Sequence, residues 1–303
     1  MIKSKAAKIG DWMFVLLCVL VILLCVLPML NLLAQSLSSA QSVINRKVTF
    51  WPVVHNPETN THHFGITLDS YIYVFMDPAF SRSMYWTAIL TVICTLWSLT
   101  ITILCAYPLT YSWLKGRGII NTIIIFTMYF SAGTIPNYIL IRNLGLLNNP
   151  LVLIIPNCLS VFNMIILRSF FYGIPDSLRE SAEIDGANPI VVLIRIYLPL
   201  SAPVLATLAL FYAVGRWNGF SDALLYINAA PQWIPIQLKL YQLINNMSAI
   251  EVATVENVSG TVPRATDAMK AAAVMFATLP ILVVYPWLQR YFISGVTIGA
   301  VKG

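Results

Sequence analysis

One basic residue, Arg216, stands well inside an apolar run of this sequence, and the residues around it suggest what it could bind. Tyr212, Arg216 and Phe220 are spaced four apart, so on a helix they share one face, with Gly219 beside them. A guanidinium suits a carboxylate through paired hydrogen bonds, and aromatic faces beside it suit a sugar ring. A charge buried in a bilayer costs about 2.5–3.5 kcal/mol on insertion scales, so it needs a partner or water. No acid stands four residues to either side, and on an unbroken helix Asp222 would point about 120° away. Arg216 is therefore expected to line a passage for a hydroxylated, acidic ligand. A structural pair with another chain, or a side chain snorkelling to the interface, is the other reading.

The three histidines come next. His55, His62 and His63, with Glu58, could ligate a metal. The stretches Thr49–Val54 and Phe64–Thr67 flank the turn-rich Asn56–Asn60, so a hairpin is expected. Paired strands place His62 and His63 on opposite faces, which favours a solvated hairpin over a metal site. Cys18, Cys25, Cys94, Cys105 and Cys158 all fall within apolar runs, against disulfides or a metal cluster. No catalytic Ser/His/Asp or Cys/His set can be assembled on one side of a membrane, and no phosphate-binding G-x-x-x-x-G-K-[ST] loop occurs. No catalytic residue and no metal ligand is expected.

A polar interruption lies between the fourth and fifth apolar runs, Pro175–Pro189, followed by Ile196-Tyr197-Leu198-Pro199. Ser177 and Glu180 have capping-box spacing. Gly186 can take the left-handed turn that ends a helix. Asn188-Pro189 reads as an N-cap with proline at the first helical position. Two short helices meeting at a sharp break would make a rigid knob, a device for docking.

This stretch resembles the coupling loop of ABC importer permeases, the inner-membrane components of binding-protein-dependent transport systems. The family pattern is E-A-A, three residues, G, nine residues, I, any residue, L-P. Glu180, Ala182, Gly186, Ile196, Leu198 and Pro199 stand at that spacing, with Asp185 before the glycine and Ser181 in place of the middle alanine. Arg168–Phe171 and Trp217-Asn218 also resemble the family, and the tail resembles the branch serving complex carbohydrates. The resemblance implies an all-α integral membrane protein, a type I importer transmembrane domain with six helices. It implies a second permease subunit, two ATPase subunits and an extracytoplasmic solute-binding protein. ATP and magnesium would sit on the ATPases, with no cofactor on this chain. The motif residues would couple to the ATPase, while Tyr212, Arg216, Trp217, Asn218 and Phe220 would lie on the solute path. With the chemistry of Arg216, the implied solute is an oligosaccharide, one containing uronic acid.

Composition fits a membrane chain. It is 58% hydrophobic and 10% charged over 303 residues, where a soluble domain carries about 25% charged residues. The net charge of +6 lies partly in short loops, where it signals topology rather than nucleic acid. Six apolar runs each offer at least the roughly 17 residues that a helical crossing in lipid needs. They are Trp12–Ala34, Ser83–Ser112, Ile119–Pro136, Leu151–Tyr172, Leu200–Tyr226 and Met269–Leu288. Lys3, Lys5, Lys8, Lys115, Arg117, Arg168, Arg179, Arg195, Arg290 and Lys302 fall on one side, which the positive-inside rule makes cytoplasmic, with both termini. A bacterial cell membrane is the expected location. The expected organisation is 1–82, a first span and extracytoplasmic hairpin; 83–290, the permease core; and 291–303, a cytoplasmic tail. The rival reading, a secondary transporter or channel without ATPases, would place ionisable residues in the spans for ion coupling, and these spans are nearly bare.

Overall fold

The structure, a computed structural model, describes residues 5–57, 59–245 and 266–300. Glu58 lies outside the described residues, as do Asn246-Met247-Ser248 and Asn257-Val258-Ser259, two triplets that match the glycosylation pattern. The chain divides into two compact units, Met1–Ser81 with Leu240–Leu279 and Arg82–Lys239 with Pro280–Gly303.

In the first unit, α1 (Lys5–Ser36) is an apolar helix whose lipid-length stretch is unburied within the chain. A short α2 (Ala40–Ile44) precedes a hairpin of β1 (Val53–Asn56) and β2 (Thr61–Phe64), paired antiparallel. The register sets His55 opposite His62 and Val54 opposite His63. His62 has both ring nitrogens within reach of hydrogen-bond partners, Nδ1 near Ser42 Oγ (3.0 Å) and Nε2 near Asn45 Nδ2 (3.3 Å). Desolvation first, then the nearby His55 and Lys47, hold its pKa below the usual histidine value. Among the described residues, no group of three or more His, Cys, Asp and Glu side chains is placed to hold a metal. The helix α3 (Asp69–Met76) follows, and Phe75 and Phe80 pack their rings on Phe276.

The second unit carries the core. The helix α4 (Pro78–Ala106) runs into a 3-10 turn at Pro108–Thr110. Next, α5 (Arg117–Tyr129) and α6 (Thr134–Asn143) meet at 114° across an extended break at Gly133, whose φ is +89°. The third apolar run is therefore not one helix to Pro136; it ends at Tyr129 and turns. The fourth is corrected more strongly. Pro150–Leu153 is a 3-10 turn, and the only long helix of that run is α7 (Val161–Tyr172), capped where Ser160 Oγ accepts from Asn163 N–H. Pro156 lies between them, and proline cannot supply the N–H that a continuous helix would need.

After the knob helices α8 (Asp176–Ile184), α9 (Pro189–Val192) and α10 (Leu198–Leu200) comes α11 (Ala202–Asn218). It stops at Gly219, whose backbone is extended, and a separate helix α12 (Ser221–Tyr226) follows, so the fifth run is broken as well. A 3-10 turn at Pro231–Trp233 leads to α13 (236–245), in the stretch where a short helix follows from the spacing of Ile236 and Leu240. The last helix, α14 (Thr266–Ala300), passes through Pro280 and Pro286 and takes in most of the stretch expected as a tail. Among the described residues, three helices are long and apolar enough to cross a membrane, or up to five if each bent pair is one span. Two apolar clusters fill the second unit. One surrounds Tyr107, Met164, Leu167, Phe171 and Tyr197, and the other Leu90, Val152, Leu153 and Ala223.

Candidate functional site

The knob is built by local chemistry. Gly186 sits at φ +86°, with Ala187 N–H donating to Ala182 C=O (2.9 Å) and Gly186 N–H to Glu183 C=O (3.1 Å). These two bonds close the end of α8 in the manner of a Schellman turn. Two residues on, Asn188 Oδ1 accepts from Val191 N–H (2.9 Å) and Pro189 opens α9. The chain then widens into a π-helical turn at Leu193–Tyr197, and beyond α10 the next helix departs at 83°. The capping box is not formed: α8 starts at Asp176 behind Pro175, so Ser177 lies inside the helix and caps nothing. Arg179 braces α8 instead, pairing with Asp176 (3.0 Å) and Glu183 (3.8 Å).

The motif residues divide by exposure. Glu180, Asp185, Gly186 and Pro199 are exposed, while Ala182, Ile196 and Leu198 are half-buried against the core around Tyr107. Ile184 is 86% exposed and Ile190 67%. A recess of about 500 Å³ opens among Ala182, Asp185, Gly186, Asn188, Arg195 and Ile196. Such exposed isoleucines beside a polar recess suit a protein partner.

The second feature is a polar cavity of about 730 Å³ walled by Ser98, Asn157, Ser160, Asn163, Tyr212 and Arg216, among others. Of the residues expected together there, Tyr212 and Arg216 line it. Trp217 is buried and faces a separate apolar groove of about 310 Å³, Phe220 packs on the cluster around Leu90, and Asn218 is exposed. The expectation of an unpaired arginine is overturned. Arg216 makes a two-pronged pair with Asp222, Nη1 to Oδ2 at 2.5 Å and Nη2 to Oδ1 at 3.0 Å. Nη2 also donates to Gly219 C=O (3.1 Å) and Nη1 to Leu153 C=O (3.4 Å), while Nε has no hydrogen-bond partner among the described residues. The reason is the break at Gly219. Its extended backbone (φ −75°, ψ 130°) takes Asp222 out of the helical phase that would have pointed it away. The two side chains are only 9% and 13% exposed. Tyr212 is fixed too, its hydroxyl 2.7 Å from Thr102 Oγ1 and accepting from Ser160 N–H (3.2 Å).

The model of the binding-protein-dependent transport system inner membrane component matches residues 5–298. The chain belongs to this family. As one of these multi-pass importer permeases, it is 41% identical to Protein LplC of Bacillus subtilis (strain 168), over 99% of this chain and 97% of the relative. It is 38% identical to the polygalacturonan/rhamnogalacturonan transport system permease protein YtcP of the same organism, over 93% and 94%. Among solved structures, a chain from a bacterial ABC transporter involved in the import of the acidic polysaccharide alginate superposes with a TM-score of 0.83. That match has 30% identity and covers 96% of this permease and 99% of the other chain.

Three residues that touch the permease knob carry no motif: Tyr107, whose hydroxyl donates to Pro189 C=O, Tyr111, whose ring lies under the Arg179 guanidinium, and Arg179 itself. The tyrosines stand four apart at the end of an apolar run, the one signal that could have found them.

Proposed function

We propose that this chain is one permease of an ABC importer that brings acidic oligosaccharides, uronate-containing fragments of polysaccharide, across a bacterial cell membrane. The observation that carries the permease reading is the occurrence, in one unit, of a rigid exposed knob and a polar cavity among apolar helices. Such a cavity is where irregular backbone is tolerated at membrane depth. The acidic character of the solute rests on the relatives named for polygalacturonan, rhamnogalacturonan and alginate. It does not rest on Arg216, whose charge Asp222 already neutralises.

In this reading six crossings are made, with the 3-10 turn at Pro150–Leu153 and α7 sharing one, and both termini are cytoplasmic. Residues 1–82 form the first span and outer hairpin, 83–290 the permease core. A second permease, two ATPases holding ATP and magnesium, and an extracytoplasmic binding protein complete the assembly. This chain itself catalyses no reaction. ATP closes the ATPase dimer, the knob around Glu180 and Gly186 is carried with it, and the spans tilt to alternate access to the cavity. Tyr212 presents its hydroxyl oxygen to the cavity as an acceptor for hydroxyl groups, while Arg216, whose four Nη hydrogens are all engaged within the chain, shapes the wall.

The test is purification of the tagged chain from the membrane. Co-elution of ATPase subunits in stoichiometric amount is expected. A chain that reaches the membrane and transports solute without any ATPase is a secondary transporter, and the proposal fails.

A further inference from the structure

Tyr107 stands at the joint between α4 and the knob. It follows the last residue of α4, is 5% exposed, and donates its hydroxyl to Pro189 C=O at 2.9 Å across 82 residues of sequence. That carbonyl also accepts Leu193 N–H inside the knob, so Tyr107 takes its second lone pair. Tyr111 Oη lies 2.5 Å from Tyr107 Oη. A phenol has one proton, and that of Tyr107 goes to Pro189, so Tyr111 must be the donor of this second bond. The order runs Tyr111 to Tyr107 to Pro189.

Both arms of the knob grip this pair. From α8, the Arg179 guanidinium lies 5.1 Å from the Tyr111 ring centroid, within cation–π range. From the π-helical turn, the Tyr197 ring meets Tyr107 edge-on at 5.1 Å, and Phe171 closes the cluster at 5.3 Å from Tyr197. At the other end of this lever, Ser98 on α4 walls the polar cavity, and Thr102 on α4 holds the Tyr212 hydroxyl. Ser98 lies roughly 14 Å from Tyr107 along the helix, at 1.5 Å per residue.

We infer that Tyr107 is a positioning residue for transport, passing displacement of the knob to α4 and so to the cavity wall, beside the covalent route through α11. Contiguous contacts of this kind can carry coupling between sites. The inference rests on the permease reading above.

The test is hydrogen–deuterium exchange on the purified complex of this chain with its partner permease and ATPases, with and without ATP and vanadate. In the parent complex, trapping is expected to change exchange both in the knob (176–197) and at the end of α4 (99–111). Tyr107→Phe keeps the ring and removes the donor. It should leave the change in the knob and shrink that at 99–111 about fivefold, the worth of one neutral hydrogen bond. Tyr111→Phe should do less, because Tyr107 still reaches Pro189. An equal change at 99–111 in Tyr107→Phe and parent overturns the relay, as does a parent whose knob responds while 99–111 does not. A parent whose knob shows no response to trapping overturns the permease reading beneath it.

Discussion

The knob at 175–199 and the break at 219–222 are both interruptions in apolar sequence, yet they are held by opposite means. Backbone hydrogen bonds, the Asn188 cap and one left-handed glycine give the knob its shape, over contacts a few residues apart, and Tyr107 then ties it to the end of α4. A buried ion pair holds the break, reaching across the interruption and on to Leu153 in another turn. Local devices of the first kind each contribute about 1 kcal/mol. A buried pair is neutral or even unfavourable in net terms but very costly to split. The two regions should therefore respond to substitution on different scales.

The largest effect is expected at the break. Asp222→Ala leaves the Arg216 guanidinium uncompensated and should destabilise the fold by about 3–5 kcal/mol. The double substitution Arg216→Met with Asp222→Leu should recover most of that loss. Thermal unfolding of the detergent-purified chain reads both, and a double variant no better than the single one would show that the pair is not the main strut. Arg216→Gln should lower uptake of acidic and neutral oligosaccharides alike, since the cation is already neutralised. A loss confined to acidic solutes would restore Arg216 as a carboxylate ligand.

At the knob the scale drops. A Cβ on Gly186 would meet no atom within 4 Å, so Gly186→Ala costs only its left-handed backbone, about 1–2 kcal/mol. Gly186→Pro cannot take φ +86° at all and should abolish stimulation of ATP hydrolysis by loaded binding protein while the chain still inserts. Next comes Asn188→Ala, which removes the cap on α9 for about 1 kcal/mol. Smallest is Ser177→Ala, under about 0.5 kcal/mol because Ser177 caps nothing. Chemical unfolding of the three alanine variants should rank them in that order. A Ser177 variant as damaged as Asn188→Ala would mean that the capping box forms after all.

The same contrast explains what could be read from the sequence. Gly186, Asn188 and Pro189 announce their geometry because it is set by neighbours in the chain. So do α1 and α4, the first two apolar runs, where apolar length alone decides. Arg216 does not, because a helical wheel assumes a continuous helix and Gly219 ends it. The fourth apolar run failed for a related reason: hydropathy counts residues but does not register that Pro156 separates a 3-10 turn from a short helix. The role of Tyr107 is not legible beyond its spacing from Tyr111, because its partner, Pro189, lies 82 residues on.

ATP-driven uptake of tetragalacturonate into proteoliposomes containing this chain, its partner permease, the ATPases and the cognate binding protein tests the central reading most directly. The expected result is uptake that requires ATP and the binding protein and exceeds that of neutral cellotetraose. Uptake that persists without ATP or ATPases, or a clear preference for the neutral sugar, would contradict it.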